Sequence, residues 1–438
     1  MPLIFISAGI ILLFLLITIY KINAFLSLLI TSFAVGLLNR MEPTVILQSI
    51  TSGIGSTMGS LALIILFGAM LGKLLEQSGA AYQITTKLVD LFGLGKIQLA
   101  IMITGFLVGL PMIYNAGFLV LIPLIYALAS STKLPLIYLG LPMCAALSVT
   151  HGFLPPHPAP TSIAFIFHAD PNLTLLYGLG IAIPSILVAG PLLSRFYTKW
   201  ELTPPKELYV AREFTRAELP SLRASLFTAL SPIILMLSGA IIQLAIPADN
   251  QYINLLKFIS DPSIALFIAV FLGIYLLGIR QKKKMTDLMK SISASTAAIS
   301  MILFIIAGGG AFKQVLTDSG TAEYIKQIVG GLSISPLILT WCVATLIRFA
   351  IGSATVSCIT AAGLTLPLIE GTGISRELMV IATGAGSLMF SHFNDTGFWM
   401  FKEYFNTTIK QTFMVWTVME TVIGIMGLIG VLIVSHLI

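Results

Sequence analysis

Three observations predict that this chain is an all-α polytopic membrane protein made of two inverted-topology repeats. Of its 438 residues, 57% are hydrophobic and only 10% are charged, whereas soluble proteins carry about 25% charged residues. Apolar runs long enough to cross the roughly 30 Å of a bilayer core follow one another along the chain. The two halves share motifs but differ in the basic residues of their loops. Most of the surface must therefore face lipid, which leaves no room for a soluble catalytic domain.

About a dozen membrane spans are expected, at roughly 20 residues each. They are predicted as helices, because the strands of a membrane barrel alternate apolar and polar residues in segments of about ten. The first run leads straight into further apolar sequence, so we interpret it as a span and not as a cleaved signal peptide. The apolar runs lie near 3–20, 22–39, 56–76, 97–116, 117–130, 135–154, 172–194, 224–247, 262–279, 296–316, 334–350, 352–369, 376–400 and 411–437.

The two halves show similar motifs at a nearly constant separation. LLEQSGAAYQI from Leu74 matches VLTDSGTAEYI from Val315 at 241 residues. IPLI from Ile122 matches LPLI from Leu366 at 244 residues. A duplication predicts such spacing, although two apolar sequences also resemble each other through composition alone. The predicted organisation, typical of many secondary transporters, is an N-terminal repeat at 1–200, a cytoplasmic linker at 201–220 and a C-terminal repeat at 221–438.

Basic residues cluster in two loops. Six lie in 195–223 and five lie in 280–290, so the positive-inside rule predicts that both loops are cytoplasmic. The corresponding stretch of the first half, 40–52, has only Arg40. This difference predicts that the two repeats are inverted relative to each other. The net charge of +6 then reflects membrane orientation, and the expected partner is the lipid bilayer, with no nucleic acid.

A proline-rich stretch at 148–162, SVTHGFLPPHPAPTS, is predicted to break a span at depth. Proline lacks the N–H donor and clashes with the preceding turn, so it cannot continue a helix. Irregular backbone inside a membrane is tolerated where it lines a wet cavity or is buried in protein. The alternative is a loop between two spans. The helix-breaking prolines are Pro155, Pro156 and Pro158, and the side chains expected to bind a substrate are Thr150, His151 and His157.

A second polar stretch at 384–399, GAGSLMFSHFNDTGFW, lies at the corresponding place of the second half. An ionisable side chain inside a membrane is costly, so it is a functional candidate by default. Asp395 is expected to load the coupling proton or ion, and its alternative role is a helix N-cap. His392 is the other coupling candidate, because histidine titrates near neutral pH. We also expect His392 and Asn394 to bind the substrate.

Two further helix breaks are predicted upstream of these stretches. One lies at Pro111 in GLPMIYNAGF, and the other lies at Gly352 in IGSATVSCITAAG. Broken helices present bare N–H groups and positive dipole ends, which suit a carboxylate. Asn115, Ser353 and Thr355 are therefore expected to bind the substrate, although hydroxyl groups also occur as helix-packing residues.

These features together predict a transporter of a small organic anion, without enzymatic activity, bound metal or organic cofactor. Arg348 precedes the second upstream break, and it either pairs with a substrate carboxylate or extends to the membrane interface. One alternative is a membrane-embedded enzyme, although no HExxH motif supports it. Another is a channel. The metal ligands of the enzyme alternative are His151, His157, His392 and Asp395.

Several stretches are more distinctive than any single helix break. They are SVTHGFLPPHPAP, GSATV followed by TAAG, GSLMFSHFNDTGFW followed by KEYF, and WTVMET at 416–421. Together they resemble the signature stretches of the gluconate permease family, the gluconate:proton symporters, and the similarity runs over the full chain. The resemblance implies uptake of gluconate or a related sugar acid or hydroxy acid with a proton across the bacterial inner membrane. It also implies re-entrant hairpins and an elevator-type mechanism within a wider ion-transporter superfamily, and it is compatible with a homodimer.

One position departs from the pattern of that family. Where the family carries an acidic residue in its Gly-x-x-x-Phe-Phe-Glu pattern, this chain has Asn115, preceded by Ile113 and Tyr114. A carboxyl group is absent there, so coupling is expected to fall to Asp395 or to a histidine. The departure also leaves open a different small carboxylate, such as the D-serine carried by some relatives, and coupling to sodium.

Overall fold

The described part of the chain is helical throughout. The structure is a computed structural model, and it describes residues 2–200, 202–205, 214, 218–245, 252–320, 335–368, 373–393 and 395–438. No β-strand occurs in these residues. The predicted all-α architecture is confirmed, as expected where a lipid-exposed backbone must form its hydrogen bonds within one segment.

Helices of the first half begin where the sequence provides an N-cap or a proline. Asn23 accepts a hydrogen bond from the backbone N–H of Phe25, and Asp170 caps the ninth helix in the same way. Pro43 and Pro158 occupy first helical positions, where a missing N–H costs nothing. The helices are α1 (Pro2–Phe14), α2 (Ala24–Leu38), α3 (Pro43–Ser78), α4 (Ala80–Phe92), α5 (Ile97–Gly109), α6 (Tyr114–Thr132), α7 (Leu136–Phe153), α8 (Pro158–Phe167) and α9 (Pro171–Leu187).

The second half repeats much of this order of elements. The helix starts at Tyr114 and Ala354 lie 240 residues apart, and the helix ends at Gly109 and Ile351 lie 242 residues apart. Short π-helical turns occur at 15–19, 188–192, 274–278 and 413–417. The helices are α10 (Leu222–Ala245), α11 (Ile253–Ser260), α12 (Pro262–Gly273), α13 (Met285–Asp318), α14 (Pro336–Ile351), α15 (Ala354–Thr365), α16 (Arg376–Gly386), α17 (Thr396–Tyr404), α18 (Ile409–Thr412) and α19 (Val418–Ser435).

Eight helical segments of the described chain are long and apolar enough to cross a membrane. The count rises to nine if α4 and the bent-over 94–109 segment, which meet at 108°, form one span. The sequence predicted about a dozen spans. The difference arises because several apolar runs are divided into shorter helices, such as α14 and α15 at 16 and 12 residues.

The proline-rich stretch breaks a span without reversing it. α7 ends at Phe153 and α8 begins at Pro158, yet 136–167 continues as one apolar segment of 32 residues. The stretch therefore breaks the span, as the sequence predicts, and is not the tip of a re-entrant hairpin. The physical reason is that proline removes backbone hydrogen bonds at 154–157 while its fixed φ also suits the first turn of the next helix.

The same broken span lies at the centre of the protein. In its most apolar window, 89% of the residues are buried, against 33–50% in the other seven candidate spans. The peripheral helices therefore turn large apolar side chains outward, such as Phe196 and Leu346, as expected of a lipid-facing surface. A span without a lipid face can hold polar groups and irregular backbone. The central location of 136–167 thus allows a polar site there.

The two longest helices, α3 and α13, pack antiparallel. Ser49, near the start of α3, donates a hydrogen bond of 2.6 Å to Asp318 at the end of α13. At the opposite end, Lys283 donates to the carbonyl oxygen of Gln77 at 3.0 Å. These two helices occupy corresponding places in the sequences of the two halves. The halves therefore contact each other along the length of α3 and α13.

Described residues of both basic loops have contacts near the same end of α3. Lys283 of the 280–290 loop contacts the end of α3 through Gln77. Phe214, from the loop at 195–223, packs its ring 5.8 Å from that of Tyr82, just beyond the same helix end. The described residues of the two loops that make these contacts therefore lie near the same helix end, and the cytoplasmic location of the loops stays a prediction.

Candidate functional site

A cavity of about 410 Å³ lies between the two halves, next to the central broken span. Its wall combines residues of α6 and α7 with the α14–α15 break, the start of α17 and the start of α19. Such a volume suits a small ligand of the size that protein pockets commonly hold. The polar residues that line it are Tyr114, Asn115, Ser148, His151, Arg348, Ser353, Thr355, Asp395, Thr396, Trp416 and Glu420.

A largely buried ion pair lies in this wall. Arg348 donates from Nη2 to Oδ2 of Asp395 at 2.5 Å, and the two side chains are 3% and 13% exposed. A second guanidinium nitrogen, Nη1, donates to the carbonyl oxygen of Gly352. Arg348 therefore does not extend to the membrane interface, which excludes one of its two predicted roles. Its positive charge is held inside the protein beside the cavity.

Asp395 is bonded at both carboxyl oxygens. Besides Arg348, Oδ2 accepts a hydrogen bond from the Ser391 hydroxyl, and Oδ1 accepts one from the backbone N–H of Gly397 at 3.0 Å. The same side chain is thus an ion-pair partner and the N-cap of α17. Trp416 donates to Ser391 at 2.7 Å and extends this network to the π-helical turn before α19.

The break between α14 and α15 presents a helix N-terminus to the cavity. Gly352 ends α14 with a φ of 79°, a left-handed conformation that glycine adopts without strain. Ser353 then caps α15 by accepting a hydrogen bond from the backbone N–H of Val356. Ser353, Ala354 and Thr355 all line the cavity. This N-terminus carries a partial positive charge, which favours an anionic group nearby.

The predicted residues of the proline-rich stretch divide between the cavity and the packed core. His151 lines the cavity, and its Nδ1 has no hydrogen-bond partner in the described structure. His157 instead donates from Nε2 to the carbonyl oxygen of Gly109 at 2.7 Å, joining two helix breaks. Thr150 is fully buried, and its hydroxyl bonds to Leu147 within α7. Of the three residues, the structure brings only His151 to the cavity wall.

The predicted helix-breaking prolines do not line the cavity. Pro111, Pro156 and Pro158 surround a separate void of about 20 Å³ together with His157, and Pro155 precedes Pro156 in the break at 154–157. That volume is about the least that could hold one water molecule. These residues therefore shape the backbone around the cavity rather than facing a ligand.

His392 lies outside the cavity wall. Its Nε2 donates to the carbonyl oxygen of Phe349 at 3.1 Å, and its ring packs between Phe349 and Phe393. Asn394 lies outside the described residues. Asn115 faces the cavity from the first turn of α6. Of the predicted substrate-binding and coupling residues, the structure therefore brings five to the cavity wall, namely Asn115, His151, Ser353, Thr355 and Asp395.

Comparison with known proteins identifies the family of this chain. The sequence model of the GntP family permease matches residues 1–438. The chain belongs to the GntP family of permeases. It is 49% identical to the Gnt-II system L-idonate transporter of Escherichia coli (strain K12), over 99% of this chain and 98% of that protein. It is 46% identical to a high-affinity gluconate transporter of the same organism over the full length of both chains, and 42% identical to the gluconate permease of Bacillus subtilis (strain 168), over 99% of each.

Two solved transporters share the fold of this GntP family permease. The YdaH transporter of Alcanivorax borkumensis superposes with a TM-score of 0.63 at 20% sequence identity, covering 90% of this chain and 89% of that one. MtrF of Neisseria gonorrhoeae superposes with a TM-score of 0.64 at 15% identity, covering 90% and 85%. The chain is a multi-pass membrane transporter and not an enzyme, as the sequence predicted.

Five polar residues of the cavity wall of this permease were not selected from the sequence. They line the cavity from α6, α7, the start of α17 and the turn at 413–417 that leads into α19, and Glu420 is the most informative because it is an acid inside the apolar run 411–437. An ionisable residue in such a run is a functional candidate by default, so this signal was available. The signal for the others was weak, because aromatic and hydroxyl residues are common in membrane helices. The five are Tyr114, Ser148, Thr396, Trp416 and Glu420.

The described residues of the permease offer no cluster suited to a metal ion. No three histidine, cysteine, aspartate or glutamate side chains of this part of the chain come together in a ligand arrangement. His151 and His157 do lie near each other, with ring centroids 5.6 Å apart. His157 is occupied by its bond to Gly109, however, and the guanidinium of Arg348 lies beside Asp395. The cavity therefore offers a cationic group, helix N–H groups and polar side chains to an anion.

Proposed function

We propose that this permease is a secondary active transporter that takes up gluconate or a closely related sugar acid by proton symport across the bacterial inner membrane. Support comes first from the names of its relatives, an L-idonate transporter, a high-affinity gluconate transporter and a gluconate permease. All three names denote a six-carbon polyhydroxy acid or its carrier. A carrier of such a ligand needs one anion site with several hydrogen-bonding groups around it.

The observation that carries the proposal is the charge pattern of the cavity wall. Arg348 and the N-terminus of α15 meet on one side of the cavity, where Ser353 and Thr355 also lie. A carboxylate bound there would gain hydrogen bonds from helix N–H groups and a favourable field from the helix dipole. On the facing walls, Asn115, Ser148 and His151 offer partners to the hydroxyl groups of a polyol.

The location of the cavity favours alternating access between two repeats. The cavity lies where the halves meet, and the corresponding helices α3 and α13 pack antiparallel, which is the arrangement expected of inverted repeats. The contacts of Lys283 and Phe214, one from each basic loop, near the same end of α3 support a cytoplasmic location for both loops. The elevator-type movement, the homodimer and the domain boundaries at 200 and 221 stay predictions.

The decisive test is uptake of labelled gluconate by the purified permease in liposomes. One set of vesicles has an inward proton gradient, a second has an inward sodium gradient, and a third has neither. We expect accumulation in the first set alone, with competition by L-idonate and other sugar acids. Accumulation driven by sodium alone would contradict proton coupling, and absence of gluconate uptake in every set would contradict the substrate.

An Arg348→Gln variant links the uptake to the cavity. We expect it to lose gluconate binding, because it leaves Asp395 as an uncompensated negative charge in the cavity wall beside the α15 N-terminus. Lys402→Gln is a matched control, since Lys402 pairs with the exposed Glu403 and does not line the cavity. Equal uptake by the Arg348→Gln variant and the wild type would show that the carboxylate binds elsewhere.

A further inference from the structure

We infer that Glu420 is the group that carries the coupling proton, whereas Asp395 is a permanent counter-ion of Arg348. This inference rests on the proposed proton-coupled uptake of a sugar acid and names the residue that makes the coupling. It begins from a difference between the two acids of the cavity wall. Asp395 has a charged partner and accepts hydrogen bonds at both carboxyl oxygens. Glu420 has no charged partner among the described residues and accepts a hydrogen bond at only one oxygen.

Asp395 is poorly suited to load and release a proton. Its carboxylate neutralises a guanidinium that is 3% exposed. Protonating Asp395 would leave Arg348 as an uncompensated charge inside the protein, which is strongly destabilising. It would also weaken the hydrogen bonds that Ser391 and Gly397 donate to the carboxylate. The Arg348–Asp395 pair is therefore a stable neutral unit throughout the cycle.

Glu420 has the opposite surroundings. It is 1% exposed and lies in the first turn of α19. Its Oε1 accepts a hydrogen bond of 2.5 Å from the Ser148 hydroxyl of α7, and its Oε2 has no hydrogen-bond partner in the described structure. No ion pair to Glu420 occurs among the described residues. A buried carboxylate without a cation is costly, and a proton on Oε2 removes that cost.

The remaining titratable groups around Glu420 form no ion pair with it among the described residues, His151 included. They are Tyr114 of α6, Cys144 and His151 of α7, Arg348 of α14 and Asp395 at the start of α17. Tyrosine and cysteine bring no positive charge, and Arg348 is already paired with Asp395. The net charge of Arg348, Asp395 and Glu420 is thus zero when Glu420 is protonated and minus one when it is not.

This charge difference couples the proton to the substrate. An anion entering the cavity is repelled by ionised Glu420 and is accepted when Oε2 carries a proton. By thermodynamic linkage, the bound anion in turn favours protonation of Glu420. One O–H bond forms when the proton arrives from water on the outer side, and it breaks when the proton leaves to water on the inner side. The carboxylate of the substrate and the proton therefore cross together.

The test separates accumulation from exchange in liposomes that contain the full-length permease. Proton-driven accumulation of labelled gluconate needs the proton to load and leave, whereas counterflow of gluconate at equal pH needs only a neutral residue at position 420. We expect Glu420→Gln to retain counterflow and to lose more than about tenfold in accumulation, because the neutral amide mimics the protonated acid without releasing a proton. The matched control Glu403→Gln changes an exposed acid outside the cavity, and it should behave as wild type.

The outcomes distinguish this inference from the proposed function. If wild-type permease fails to accumulate gluconate, the proposed function fails. If wild type and Glu420→Gln accumulate it equally, the function stands and the assignment of Glu420 is overturned. The assignment is also overturned if Asp395→Asn is the variant that keeps counterflow and loses accumulation.

A second variant keeps the inference testable if Glu420→Gln loses counterflow as well. Ser148→Ala removes the hydroxyl that donates to Oε1 of Glu420, and a lost donor disfavours the ionised carboxylate. We therefore expect the pH midpoint of gluconate uptake to lie at higher pH in Ser148→Ala than in the wild type. An unchanged midpoint in this variant would overturn the inference. The exposed Ser131→Ala, on α6 away from the cavity, is its control.

Discussion

Arg348 and Asp395 form a buried ion pair across two helix breaks, with 2.5 Å between Nη2 and Oδ2. Arg348 belongs to the last turn of α14, and Asp395 caps α17. The pair thus joins the predicted break at Gly352 to the second polar stretch at 384–399. Because Arg348 also donates to the Gly352 carbonyl, it fixes the turn that begins α15 and so positions the helix N-terminus at the cavity.

Removing one partner of this pair should destabilise the permease more than removing both. Asp395→Leu alone leaves Arg348 buried without a counter-ion, and loss of one partner of a buried pair costs about 3–5 kcal/mol. Replacing both residues with apolar ones, as in Arg348→Met/Asp395→Leu, should recover much of that loss while gluconate binding stays absent. Thermal unfolding in detergent measures the effect. Equal destabilisation by the single and double variants would contradict the pairing.

Gly352 should tolerate no side chain. Its φ of 79° costs an L-residue roughly 1–2 kcal/mol, and its carbonyl oxygen accepts the hydrogen bond from Arg348. We expect Gly352→Ala to lower the unfolding temperature and gluconate affinity together. Gly363→Ala in α15 is the matched control, because a methyl group there would meet Lys313 Cβ at an ordinary 3.4 Å. If both alanine variants bound gluconate equally well, the left-handed turn at Gly352 would have no role in binding.

Asn115→Asp should weaken gluconate binding at a pH at which the new carboxyl group is ionised. Asn115 lines the cavity, and a carboxylate at this position would add a negative charge near the bound anion. A loss of about 1.4 kcal/mol corresponds to about tenfold in affinity, and we expect a rise of this order in the gluconate concentration at half-maximal uptake. Asn115→Gln keeps the neutral amide and serves as control. Unchanged affinity in Asn115→Asp would show that the anion binds far from α6.

Gly384→Ala should disrupt the packing of α16 against α7. A methyl group at Gly384 would lie 2.1 Å from the carbonyl oxygen of Gly152, a backbone atom that cannot rotate away. Overpacking of this kind costs typically about 1–3 kcal/mol. Because Gly152 follows the cavity residue His151, uptake should fall as well as stability. Gly180→Ala in α9 meets no atom within 4 Å and should be neutral. Wild-type stability of Gly384→Ala would contradict the close approach of the two helices.

Several features were predictable because they depend on local chemistry. Proline cannot donate a backbone hydrogen bond and glycine readily adopts a positive φ, so breaks at Pro155 and Gly352 follow from residue type. An ionisable side chain inside an apolar run is energetically costly, so Asp395 was identified as a functional candidate. Side-chain partners were not predictable in the same way. His157 and Thr150 looked like ligand-binding groups, yet tertiary packing turns them to Gly109 and Leu147.

By itself, the sequence determined that the protein is a helical membrane transporter of the gluconate permease family and where its helices break. Composition, run length and motifs suffice for these, because each depends on neighbours along the chain. Only the tertiary structure decided which charges meet. Arg348 contacts Asp395, which is 47 residues away in the sequence, and Ser148 donates a hydrogen bond to Glu420, which is 272 residues away. Such contacts depend on how distant helices pack, and that packing separates a paired acid from an unpaired one in the same cavity.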